Sequence, residues 1–175
     1  MLKKVISIIM ISISIIILFY NNKQINDMNN TIDEILEDKK INSKYDGYIY
    51  IPSLNYKQLI KKGEYDNVLN NNLVLMISDK KVINKEYGNI ILAGHNNKYV
   101  FNVLYKLKEN DEIIISDFKN TYSYIVYKIM TVNIKDTYIL DNVYNEKILT
   151  LITCTNNNQK RFVVICKINH IISHN

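Results

Sequence analysis

The sequence predicts an all-β domain, a barrel or a sandwich, carried behind an N-terminal apolar helix. Three observations predict it. From Tyr45 onward, short apolar or alternating segments recur seven or eight times, parted by polar turn residues. Helical patterns between them are too few for a doubly wound α/β sheet. Before Asn21 one apolar run, Val5 to Tyr20, is broken only by Ser7, Ser12 and Ser14.

The N-terminal run comes first. Lys3 and Lys4 precede it, and at ~1.5 Å per residue it reaches roughly 24 Å, slightly short of a bilayer core of about 30 Å. Leu2 and snorkelling lysines lengthen it. An uncleaved signal-anchor, a cleaved secretion signal and a buried core helix all fit an apolar run. Phe19-Tyr20-Asn21-Asn22 is poor cleavage chemistry, which favours the anchor. The flanking lysines then stay on the cytoplasmic side and everything after Asn21 lies outside. We divide the chain into a cytoplasmic tip and anchor over 1–21, a stalk over 22–44 and a barrel over 45–175. In the stalk, Ile25, Met28, Ile32, Ile35 and Leu36 recur at helical spacing. Such a stripe fits a helix that lifts the domain off the membrane, or one that packs back upon it.

The strands follow in order. Tyr48 to Ile51 ends at Pro52, where a missing N–H costs little. Asn55 to Ile60, Leu73 to Ile77 and Asn89 to Ala93 give three more. Tyr99 to Leu107 places Val100, Val103, Leu104 and Leu107 on one face and predicts a short helix. Glu112 to Ser116 and the long alternating Tyr122 to Val132 are strands. Lys147 to Thr153 and Arg161 to Ile168 close the domain.

Composition excludes several classes. Four glycines and one proline in 175 residues rule out collagen-like sequence and flexible linkers. Two cysteines are too few for a disulfide scaffold or a four-cysteine zinc site. The net charge of +5 is spread over single lysines and pairs, without the dense basic stripe of a nucleic-acid binder. Of the 22 basic residues only Arg161 is arginine.

Three residues able to carry chemistry stand at strand ends. His95 follows Ile90 to Gly94, Cys154 follows Ile148 to Thr153, and Arg161 opens Phe162 to Ile165. A thiolate is a nucleophile, an imidazole moves a proton, and a guanidinium is a permanent fork of donors. Each also has an ordinary structural explanation: a buried small hydrophobe, a turn histidine and a solvated edge charge. Six polar residues, Thr155 to Lys160, separate Cys154 from Arg161, so antiparallel flanking strands would put both at one end. Alternation from Arg161 puts Cys166 on the opposite face, into the core or beneath a neighbouring element. His170 and His174 sit in the tail, and Asp136, Asp141 and Glu146 match no tight calcium spacing. We expect no metal and no cofactor.

Thr150-Leu151-Ile152-Thr153-Cys154 resembles the TLxTC signature of the sortases, cysteine transpeptidases of Gram-positive surfaces. Gly47 to Pro52 resembles the opening strand of their barrel. Asn89 to His95 resembles the strand that delivers the family histidine. Phe101 to Leu104 with Leu107 to Ile113, and Val132 to Leu140, extend the likeness over roughly Tyr45 to Lys167. The resemblance implies an eight-stranded sortase barrel with one or two short helices. It implies Cys154 as nucleophile, His95 as general acid/base, Arg161 as charged partner and Thr153 as a residue shaping the site. It implies cleavage of an LPxTG-like sorting signal through a thioester and transfer of the surface protein to a peptidoglycan precursor or another amine. A barrel that only binds surface peptides, or a hydrolytic thiol peptidase, would use the same residues differently. The 155–160 loop is shorter than in many sortases. Arg161-Phe162-Val163-Val164 resembles class B, yet its helical insertion is absent, and the outline is nearer classes A and D.

Overall fold

The computed structural model describes residues 2–37, 44–79, 86–141, 146–155 and 158–173. The last stalk positions, part of the 155–160 loop and His174 lie outside them.

The first helix, α1 (Leu2–Glu37), runs unbroken through both the apolar run and the amphipathic segment. Lys3–Tyr20 is long and apolar enough to cross a membrane, and none of it is buried against the domain. The distal part behaves differently. Ile32 is buried against Leu59, with Met28, Ile35 and Leu36 packed around it. Met28, Ile32, Ile35 and Leu36 of the amphipathic stripe therefore pack back on the barrel.

Eight strands follow: β1 (Gly47–Ile51), β2 (Tyr56–Lys61), β3 (Val74–Met76), β4 (Gly88–Gly94), β5 (Glu112–Ser116), β6 (Asn120–Asn133), β7 (Lys147–Cys154) and β8 (Lys160–Ser173). They close into a barrel in the order β1-β2-β3-β4-β7-β8-β6-β5. Closure leaves no sheet edge exposed. Two of the pairings are parallel, β2 with β3 and β4 with β7. The second brings strands distant in sequence side by side.

Period-two alternation sorts the side chains. Ile90 and Leu92 of β4, Leu149 and Leu151 of β7, and Val164 and Cys166 of β8 face the central core with Ile49, Ile51 and Tyr124. Each fully buried aliphatic side chain there contributes roughly 1.5–3 kcal/mol. The opposite faces of the same strands carry a second, smaller cluster: Ile91, Ile152 and Val163 with Val132 and Ile139. These strands are thus apolar on both sides, which explains the continuous runs in their sequence.

Three details differ from the sequence reading. The expected helix over Tyr99 to Leu107 is a tighter 3₁₀ segment, Phe101–Lys106. Its buried residues Phe101 and Leu104 fall three apart, and side chains three apart eclipse in that geometry. With Leu107 they plug the barrel end. A short helix, α2 (Tyr65–Asn70), was not expected; its two buried residues, Val68 and Leu69, are too few to show a period. β6 and β8 outrun their apolar patterns because they pair along nearly their whole length, with register shifts at Ser123/Tyr124 and Val126/Lys128.

Candidate active site

The site is assembled from strand register. β4 and β7 run parallel with Gly94 beside Thr153, so His95 and Cys154 are the next residues on adjacent strand ends. β7 and β8 are antiparallel with Cys154 directly opposite Arg161. Directly opposed side chains project to the same face. That face is the outer one, shared with Ile152 and Val163. His95, Thr153, Cys154 and Arg161 line a single cleft of about 180 Å³. Its far wall is the end of β6 and the segment after it, contributed by Asn133, Ile134, Asp136, Thr137 and Ile139.

The hairpin between Cys154 and Arg161 has its own bonds. Thr155 N–H donates to the Lys160 carbonyl at 3.0 Å, and Asn158 N–H donates to the Thr155 carbonyl at 2.9 Å. Asn158 takes a left-handed φ of 57°, which asparagine tolerates. The Arg161 guanidinium donates to the carbonyls of Asn158 and Lys160, both at 3.3 Å. Those contacts fold the side chain over its own turn and leave other donors of the fork for a ligand.

Thr153 is buried, and its hydroxyl donates to the Gly94 carbonyl at 2.9 Å. It locks the cysteine strand to the histidine strand one residue before both reactive groups. Gly94 is required by space: a Cβ there would sit 2.6 Å from Val100 and 2.8 Å from Phe101. The His95 carbonyl accepts from Asn97 and Phe101 N–H, both at 2.9 Å. The turn after the histidine is thereby pinned to the 3₁₀ plug.

Some site residues gave little signal in the sequence. Tyr105 donates through its hydroxyl to the Cys154 carbonyl at 3.2 Å and packs on Phe162 at 4.3 Å between ring centroids. Partial burial, then the electrostatic influence of the neighbouring Cys154, push its phenol up. Asn89 is buried. Its carbonyl oxygen accepts from the Thr150 hydroxyl at 2.8 Å, and its amide donates to the carbonyls of Ile139 and Asp141 at 3.1 and 3.3 Å. It fastens the far wall of the cleft to β4 and β7. A polar residue inside an apolar strand was its visible signal. Cys166 is fully buried in the core, and burial pushes its thiol well above the ordinary range. Both cysteines are free. Among the described residues, no cluster of three or more His, Cys, Asp or Glu side chains is placed to hold a metal.

Fold and site together define a closed β-barrel with a thiol-centred cleft on its outer face. A sortase domain model matches residues 49–169, and the chain belongs to the sortase family. Sortase A of Listeria monocytogenes is 35% identical over 83 residues, which are 45% of this chain and 37% of that protein. The match thus spans little more than a third of that relative's length. The structure of L. monocytogenes sortase A aligns with a TM-score of 0.67 at 27% identity, over 75% of this chain and 91% of that chain. Sortase C of Streptococcus pneumoniae aligns with a TM-score of 0.68 at 21% identity, over 75% and 70% of the two chains, a likeness of fold alone.

Proposed function

We propose that this protein is a membrane-anchored cysteine transpeptidase with Cys154, His95 and Arg161 as its catalytic residues. The observation that carries the reading is the direct pairing of Cys154 with Arg161 beside the histidine strand end, in a chain of the sortase family. Cys154 gives its thiol proton to His95, and the sulfur attacks the Thr–Gly carbonyl of an LPxTG-like sorting signal. Arg161 stabilises the oxyanion that develops. His95 gives a proton to the departing amine, and a thioester remains. An incoming amine attacks the thioester, His95 takes its proton and passes it to the departing sulfur, and the thiol is restored. One amide is broken and one is made, so the cycle needs no cofactor. Thr153 positions the cysteine strand. The substrates are surface proteins with a C-terminal sorting signal, and the acceptor is a peptidoglycan precursor or another cell-wall amine. Residues 1–21 anchor the chain with its N-terminus in the cytoplasm, 22–44 link, and 45–175 act outside the cell.

The test is incubation of the protein with LPxTG- and NPxTx-type peptides and a glycine or diaminopimelate amine, read by mass spectrometry. A thioester adduct on Cys154 and an amine-dependent ligated product are expected. Folded protein that yields neither across a broad peptide library would overturn the reading. Cleavage whose product ignores the amine would mark a hydrolase.

A further inference from the structure

We infer that the catalytic end of the barrel faces the bilayer, held in that orientation by a clamp between α1 and β2. The inference rests on reading α1 as a membrane anchor. It adds a direction and a height that anchoring alone does not supply.

The clamp lies beyond the apolar run. Nine residues after Tyr20, about 14 Å along the helix, Asn29 is buried on the barrel. Its amide donates to the Asn55 carbonyl at 2.6 Å, and its side-chain oxygen accepts from Lys57 N–H at 3.2 Å. Asp33, one turn on, pairs with the Lys57 ammonium. Ile32 packs on Leu59, and Ile35 and Leu36 join Tyr45, Tyr48 and Phe118. Contacts therefore advance along α1 and along β2 in the same sense, away from the membrane.

Strand directions then fix the site. β3 is parallel to β2, β4 is antiparallel to β3, and β7 is parallel to β4. β4 and β7 therefore run back towards the bilayer, and His95 and Cys154 stand at their membrane-side ends. An independent bond agrees. The Gln58 amide, near the start of β2, donates to the Tyr99 carbonyl at 2.9 Å, in the loop that follows His95. Tyr99 also lines one groove with Asp27 and Met28 of α1. The outer side of this end presents Lys98, Tyr99, Tyr105 and Lys106, all exposed. Lysine and tyrosine are the residue types that suit lipid headgroups. The headgroup layer is roughly 5–8 Å deep, so a clamp ~14 Å above the apolar edge leaves a gap of only a few residues' length.

The full chain is reconstituted in vesicles of phosphatidylcholine and phosphatidylglycerol that carry a nitroxide on a fraction of the headgroups. One sample bears a fluorophore on Cys154. A second bears it at Lys119→Cys in a Cys154→Ala background, at the opposite barrel end. Headgroup quenching several-fold stronger at position 154 than at 119 is expected. Equal quenching, or stronger quenching at 119, would overturn the orientation. Asn29→Ala with Asp33→Ala should narrow the difference, and an undiminished difference would overturn the clamp as its cause. Vesicle flotation separates the outcomes. Protein that fails to float overturns the anchor and the orientation together, whereas floating protein with equal quenching overturns the orientation alone. Failure of the peptide assay leaves the quenching result standing.

Discussion

Cys154 and Cys166 are the same functional group on adjoining strands of one barrel, and their surroundings oppose each other. Cys166 points inward among Leu149, Val164 and Tyr124, fully buried, with its thiol pushed up by burial. Cys154 points outward at a strand end, half-exposed, opposite Arg161 and in one cleft with His95. The difference is one of strand parity and position. An odd or even place on a strand decides core or cleft, and the strand's last residue decides access. Chemistry at this site is thus a product of register rather than of any unusual side chain.

The largest expected contrast comes from deleting each thiol. Cys154→Ala should abolish thioester formation and transpeptidation while moving Tm by no more than about 2 °C, as a half-exposed substitution costs ~0.5 kcal/mol or less. Cys166→Ala should keep turnover and lower stability by on the order of 1 kcal/mol, the cost of a small cavity. Paired activity and melting measurements read both. In the native protein, an alkylating reagent followed by peptide mapping should modify Cys154 and leave Cys166 untouched until unfolding. Equal modification would break the comparison.

Arg161→Lys comes next. Lysine keeps the charge and loses the fork, so kcat/KM should fall about 10²–10³-fold, the usual loss for an oxyanion donor. Retained folding by circular dichroism would place the loss in the chemistry. Gly94→Ala should follow, because its methyl group has no room beside Val100 and Phe101. Overpacking of this kind costs about 1–3 kcal/mol in denaturant titrations. It should also lower activity by displacing His95. The smallest effect is expected inside the barrel. The buried Tyr124 hydroxyl has no hydrogen-bond partner among the described residues. Tyr124→Phe should therefore be neutral or raise stability by up to about 1 kcal/mol, because an unsatisfied buried hydroxyl is removed.

Strands with a clear pattern were legible in the sequence. Glu112 to Ser116 has the same limits in both readings, β1 and β7 differ by one residue at one end, and β4 differs by one residue at each end. Their apolar residues and flanking polar turns carry that information locally. β8 was not legible past Ile168, because its last residues are held by pairing with Asn120 to Ser123 rather than by their own pattern. α2 was hidden for want of length, and the 3₁₀ plug was read as a helix because spacing by three fits both. At the site, the TLxTC motif and the isolated arginine drew attention to Cys154 and Arg161. Tyr105 was invisible as a site residue, and Asn89 showed only as a polar residue inside an apolar strand, since each acts through a backbone carbonyl or a partner more than forty positions away.

The parallel alignment of β4 with β7 bears on how an active molecule arises. The Thr153 hydroxyl bond to Gly94 spans 59 positions, and the strands it joins meet only after β5 and β6 have been laid down between them. Contacts of such long range form late, because loop-closure entropy must be met first. No fragment ending before β7 can own the cleft, and a chain with a half-closed barrel carries its histidine and cysteine strands unjoined. Recovery of thiol selectivity during refolding should therefore coincide with barrel closure, and the newly made protein stays chemically silent until its last two strands are in place.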